Sequence, residues 1–278
     1  MKSRYLAVLA LSVLATSCGS KSVTTGSTTS SLLSTTSSTT IASTTTVPKV
    51  TSSTITEVTP SVGTATFNRS GTAPNYLVTV NYPVLGGMIS TSVEAQVNAE
   101  IISAVSAWSN SFVQNSTLQS GSPPGASSPS MTGSYKVVFV DSKIASFQFI
   151  LVEGGQSLAS QVSYAETLNF NLGTGALYSL SDLFLPGSNY LNILSSQSIQ
   201  LLAAQLSASN VSVAQLQNNS QLGPLPANFS AFNVTANAVE ISFSQGQVDQ
   251  NSIGVLTVSI PNSALSAVVN PNGPVANP

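Results

Sequence analysis

The chain has 278 residues, of which 42% are hydrophobic and only 6% charged, with a formal net charge of −2. That is enough apolar material for one substantial core, and Ser, Thr, Asn and Gln, rather than ions, keep its surface wet. Histidine is absent and Cys18 is the single cysteine, which excludes Ser-His-Asp and Cys-His catalysis, His-ligated metals, multi-cysteine metal sites and internal disulfides.

No cofactor is expected. From residue 60 onward three bases (Arg69, Lys136, Lys143) stand against eight acids (Glu94, Glu100, Asp141, Glu153, Glu166, Asp182, Glu240, Asp249), a net of −5. No basic patch is available to neutralise phosphates, so nucleic acid is not an expected partner. A basic protein would meet a mildly favourable field.

Residues 1–17 read as a signal peptide. Lys2 and Arg4 form a positive start, and Leu6 to Leu14 an apolar run too short for a membrane span, which needs roughly 20 apolar residues. Leu14-Ala15-Thr16-Ser17-Cys18 resembles a bacterial lipobox, with Ala15 where Leu is usual. That resemblance implies a diacylated Cys18 as the mature N-terminus, and two acyl chains hold a protein stably at a membrane.

Residues 18–60 then form a lipidated linker, nearly two-thirds Ser or Thr from Ser20 to Pro60. Such a composition cannot bury enough surface to offset its ordering entropy, so disorder is expected. As a flexible coil it would reach on the order of 35 Å.

Residues 61–270 are expected to form one domain. Thr64–Asn68 and Tyr76–Val84 alternate as strands, the second ended by Pro83 and Gly86-Gly87. Ser92–Gln114 is the clearest helix: Val93, Val97, Ile101, Ala104, Val105, Trp108 and Phe112 form one stripe, with Glu94, Asn98, Ser106 and Asn110 opposite. Residues 119–132 read as a long loop. Tyr135–Val140 and Ile144–Val152 follow as a hairpin about Asp141-Ser142-Lys143.

Ser163–Leu172 and Ala176–Leu180 make a second hairpin about Gly173-Thr174-Gly175, and Ser181–Phe184 a capped turn. A second helix spans about Asn189–Leu206, with Leu191, Leu194, Leu201, Leu202 and Leu206 apolar; a short helical turn covers Val213–Gln217. Phe229–Val234, Ala238–Phe243 and Val255–Ile260 are closing strands, Pro261–Leu265 a last capped turn, and residues 271–278 a flexible tail. Strands and helices segregated in this way predict an α+β fold, a mostly antiparallel sheet packed with two main helices.

Three stretches carry a family resemblance: Val80–Gly87 with Val97-Asn98; Phe170–Leu177 with Leu180–Phe184 and Tyr190-Leu191; and Val239–Phe243 with Gly254–Pro261 and Leu265. Together they resemble the extracellular domain of RsiV-type anti-sigma factors, related domains of which occur in secreted mycobacterial antigens and as accessory parts of peptidoglycan deacetylases. The resemblance implies a non-catalytic α+β module outside the membrane, in the best-known members a lysozyme-binding sensor.

Two segments depart from the family. Its His-bearing glycine loop is here Gly154-Gly155-Gln156-Ser157, and the Pro and Tyr that follow its penultimate strand give way to residues 244–253. The sequence carries no cytoplasmic segment, so the chain is not expected to hold a sigma factor itself.

The expectation is therefore a lipid-anchored binding or sensing domain of the cell envelope, held to the membrane through Cys18. Its partner would be a lysozyme-like hydrolase or peptidoglycan, and the candidate contacts are Glu153, Gly154, Gly155, Gln156, Gln247 and Asp249, chosen for their loop positions. Two alternatives stay open: a surface lipoprotein without a specific ligand, and a glycan hydrolase using two of Glu153, Glu166, Asp182, Glu240 and Asp249.

Overall fold

Periodicity of two near the start of the domain produces a long hairpin. In the computed structural model, which describes residues 57–72, 75–117, 128–155, 161–249 and 254–276, strand β1 (Ser61–Thr72) pairs antiparallel with β2 (Asn75–Gly86) along their whole length. Cys18, the Ser/Thr-rich stretch as far as Thr56 and Gln156 lie outside the described residues.

β2 continues through Pro83, where the sequence predicts an end. Beyond Val80 one edge of β2 has no strand partner among the described residues, so the donor that proline lacks breaks no ladder there.

Helix α1 (Thr91–Thr117) carries the chain back along the sheet and delivers β3 (Ser130–Val140) parallel to β2, with Leu77–Val80 against Ser130–Gly133. A parallel pair requires such a crossover. The stretch read as one loop over 119–132 is thus corrected: Ser130 already opens a strand. β4 (Ile144–Gly154) and β5 (Val162–Asn171) complete an antiparallel meander, giving the order β1-β2-β3-β4-β5.

The stripe of α1 packs as its spacing predicts. Val97, Ile101, Val105 and Phe112 meet Val78, Val80, Phe147 and Phe149 in one core, and the Trp108 ring meets Phe149 edge-on at 4.9 Å between centroids. The opposite face of α1 differs from expectation. Glu94 accepts from the Met88 N–H at 2.9 Å, Asn98 is bonded to Leu85, and Asn110 accepts from Arg69 at 2.5 Å. Those polar residues tie the helix to β1 and to the end of β2.

After β5 the chain turns on Asn171, whose Oδ1 accepts from the N–H groups of Gly173 and Thr174. Gly175 sits at φ +78°, and a Cβ there would stand 2.9 Å from the Gln96 side chain of α1. The returning strand is reduced to one bridge, Phe170 with Leu177. A 3-10 turn, Leu180–Leu183, follows at once, its cap held by Ser179 N–H and Oγ donating to Asp182 Oδ2 at 2.7 and 2.8 Å.

Helices α2 (Tyr190–Gln205) and α3 (Val213–Gln217) lead to a second antiparallel sheet, β6 (Phe232–Val234), β7 (Ala238–Phe243) and β8 (Leu256–Pro261), and to the short α4 (Asn262–Leu265). Leu194, Leu202, Phe229, Ile241, Phe243 and Ile260 form its core with Leu183 and Phe184. On α2 the buried face includes Ser195, Ser198 and Ile199, while Leu191 and Leu201 are only partly buried.

The two sheets meet through a polar layer. Ser146 donates to Asn169 (2.7 Å), Asn169 to the Phe232 carbonyl (2.8 Å), Asn233 to Ser146 (2.9 Å), and Gln148 to Ser242 (2.6 Å). The tail is not frayed as far as it is described: Val275 is buried in the second core.

Candidate functional site

Strand direction sorts the loops into two ends. At one end Glu57 accepts from Ser142 in the β3–β4 turn at 2.9 Å, so the chain enters the domain beside that turn. Asn272, Gly273 and Pro274 line a small hollow with Ser142, Lys143 and Tyr178 there, where burial pushes the Tyr178 hydroxyl above its usual range. The opposite end lies one strand length away, roughly 35 Å for the 11 residues of β4.

At that far end the flanks of all three loops singled out from the sequence converge. Ser130 pairs with Gly154 and Met131 with Glu153; the Pro129 carbonyl accepts from the Leu77 N–H at 3.0 Å, and Asn75 donates to Ser128 at 2.5 Å. Gly155 has φ +89°, and a Cβ there would stand 2.3 Å from the Ser128 carbonyl oxygen. Only glycine permits that approach. The 244–249 segment joins through Gln245, whose N–H donates to the Ser163 carbonyl (2.9 Å) and whose Oε1 accepts from the Ser163 N–H (2.9 Å).

The structure thus brings Glu153, Gly154 and Gly155 against Ser128–Ser130. It gives Gln247 an internal task, with Oε1 accepting from the Ser244 N–H and Nε2 donating to the Asn228 carbonyl, both at 3.1 Å. Asp249 is half-buried on the same segment. Gln156 lies outside the described residues.

Glu153 belongs to this end and Asp249 lies on the 244–249 segment, whereas Glu166 stands midway along the strands. Glu166 projects from β5 on the α1 side of the sheet, opposite Phe149 and flanked on its own face by Tyr164 and Leu168. Burial pushes its carboxyl up to about 7. Nothing in the spacing of the sequence announced that, because the shift comes from aromatic neighbours brought in by strand pairing.

Of the cations in the domain, Arg69 stands at this same end, in register through Val78 and Met131 with Glu153, where Asn110 and Ser109 hold it with its guanidinium 5.8 Å from the Tyr76 ring centroid. Lys136 pairs with Gln148 in mid-strand, and Lys143 belongs to the opposite end. Glu153 and Glu166 share one face but stand four strand positions apart, roughly 13 Å, and Asp182 is occupied by its cap. Among the described residues no group of three His, Cys, Asp or Glu is gathered to hold a metal, and no helix is long and apolar enough to cross a membrane.

Residues 181–263 match the family model described as a protein of unknown function, DUF3298. The DUF3298 match covers α2, α3 and the second sheet. Solved structures extend the likeness to the first sheet. One is a DUF3298 family member from Bacteroides fragilis NCTC 9343, at 13% identity and a TM-score of 0.57 over 76% of this chain and 94% of that one. Another is a DUF3298 family protein from Pseudomonas aeruginosa PAO1, at 14% identity and a TM-score of 0.54 over 78% and 97%. At such identity the likeness is one of fold. No curated protein matches the chain.

Proposed function

We propose that this chain is a non-catalytic, lipid-anchored binding domain of the cell envelope, and that its far end takes a basic wall hydrolase of the lysozyme type. The observation that carries this reading is the separation of the two ends. The chain enters beside Ser142, while the flanks of three loops gather one strand length away, with Glu153 at that end and Asp249 on the 244–249 segment. A tether on Cys18 followed by a Ser/Thr-rich linker would present that end away from the membrane, and the charges of Glu153 and Asp249 would steer encounter with a basic partner.

The DUF3298 match supports the reading, since that domain is the one found in RsiV-like proteins. The absence of histidine, the separation of Glu153 from Glu166 and the cap role of Asp182 favour a binder over a hydrolase.

The test is titration of the full chain in detergent with lysozyme. Saturable binding at micromolar or tighter affinity, weakened at least tenfold in the Glu153→Lys/Asp249→Lys double variant and falling with salt, is expected. Lack of saturable binding, or binding indifferent to charge reversal, overturns the reading.

A further inference from the structure

Residues 183–239 contain no Asp, Glu, Lys or Arg. This uncharged stretch folds into α2, α3 and the turn that follows, and between them opens a groove of about 550 Å³, a volume typical of small-ligand sites. Its floor is apolar: half-buried Ile193 offers surface to it, and Ile199 and Leu222 are buried beside it. The turn is fixed to the helix by Ser195 Oγ donating to the Leu222 carbonyl at 2.6 Å. It is also tied to the 244–249 segment by Asn219 Nδ2, which donates to the carbonyls of Gln247 and Val248 at 2.9 and 2.8 Å. The groove is therefore built on fixed backbone.

The rim consists of primary amides. Asn192, Gln200 and Gln217 line it and are exposed. Asn192 Nδ2 donates to Asn189 Oδ1, which leaves the Asn192 oxygen as an acceptor. The Gln200 and Gln217 side chains make no hydrogen bond with any described residue. Each of those amides offers two donors and an acceptor.

No cation is present to hold a phosphate or carboxylate. The walls are α2, α3 and the Leu222–Pro224 turn, none of them a strand, so the groove offers no strand edge for an extended peptide, and its floor is too small to seat an amphipathic helix. A sugar ring matches what remains, with hydroxyls that both donate and accept around the ring edge and an apolar C–H face.

We propose that this groove binds a neutral glycan chain. Its hydroxyls bond to the amides of Asn192, Gln200 and Gln217, and one ring face rests on Ile193. The groove shares no lining residue with the end assigned to a basic protein, and Gln200 and Gln217 take no part in the bonds that tie its turn to the 244–249 segment, so either assignment can fail alone.

The experiment is calorimetric titration of the full chain, in a detergent without sugar groups, with chitohexaose and with cellohexaose. Saturable binding of at least one, reduced tenfold or more in Gln200→Ala/Gln217→Ala, is expected. Both positions are exposed, so the double variant keeps its unfolding midpoint, and its lysozyme titration matches that of the unaltered chain. Failure of both oligosaccharides to bind overturns the proposal, as does binding that the double variant leaves unchanged. Tighter binding of a sulfated hexasaccharide than of either neutral one overturns the assignment to neutral glycans.

Discussion

The side chain of Asn98 completes the ladder of Leu85. Its Oδ1 accepts from the Leu85 N–H at 2.8 Å and its Nδ2 donates to the Leu85 carbonyl at 2.9 Å, the exchange that a neighbouring strand would supply. A substitute is needed because β2 pairs with β3 only over Leu77–Val80, which leaves the end of β2 with one free edge beneath α1. Both backbone groups are part-buried, and unpaired groups of that kind are costly.

Asn98→Ala should therefore lower stability by about 2–4 kcal/mol, since two bonds are lost and two backbone groups are stranded. Urea denaturation followed by circular dichroism measures it. A loss below about 0.5 kcal/mol, the level of an ordinary surface substitution, would mean water replaces the amide at no cost.

Gly155→Ala should cost about 1–3 kcal/mol, from a positive φ and a Cβ driven into the Ser128 carbonyl. Because Gly155 holds the β4 end against the β3 start, the same variant should weaken lysozyme binding more than Gly187→Ala. The latter also has positive φ but has open space for a Cβ. Comparing the two separates backbone strain from loss of the contact.

Glu166 makes stability depend on pH with a definite sign. Its folded-state value, about 7, lies above the ordinary 4.5, so the folded protein favours the protonated acid. That contribution is complete below about pH 4.5 and is lost as pH rises through 7. Glu166→Gln should remove this slope and be the more stable protein at pH 8, by roughly 1–3 kcal/mol. Thermal melts of both proteins between pH 4 and pH 8.5 check it, and parallel profiles would refute it.

The polar layer between the sheets should behave as a unit. Asn169 accepts from Ser146 Oγ and the Val234 N–H and donates to the Phe232 carbonyl, so Asn169→Ala takes a buried partner from Ser146 and from Phe232, leaves the Val234 N–H to Ser146 alone, and should cost about 2–4 kcal/mol. Ser146→Ala, in a double-mutant cycle with it, should show strong non-additivity. Additive losses would mean the two side chains act separately.

What the sequence determined by itself is whatever depends on neighbours along the chain. The stripe from Val93 to Phe112, the turn of helix at Val213–Gln217, the strand Ala238–Phe243 and a capped turn at Ser181–Phe184, whose cap the structure places at Ser179, were all legible, because helical period, strand alternation and capping act over a few residues. So was the α+β class, which follows from the order of those elements.

The tertiary structure alone decided the parallel pairing of β2 with β3, the inward task of Glu94 and Asn98, the internal role of Gln247 and the burial of Val275. Apart from the bond of Gln247 to Ser244, the partner in each case lies six or more residues away, and no local period records it. The site followed the same division. That Glu153, Gly154 and Gly155 occupy a strand end could be read from composition and turn residues. Their convergence with Ser128 and the 244–249 segment could not, since strand pairing and its register decide which loops share an end.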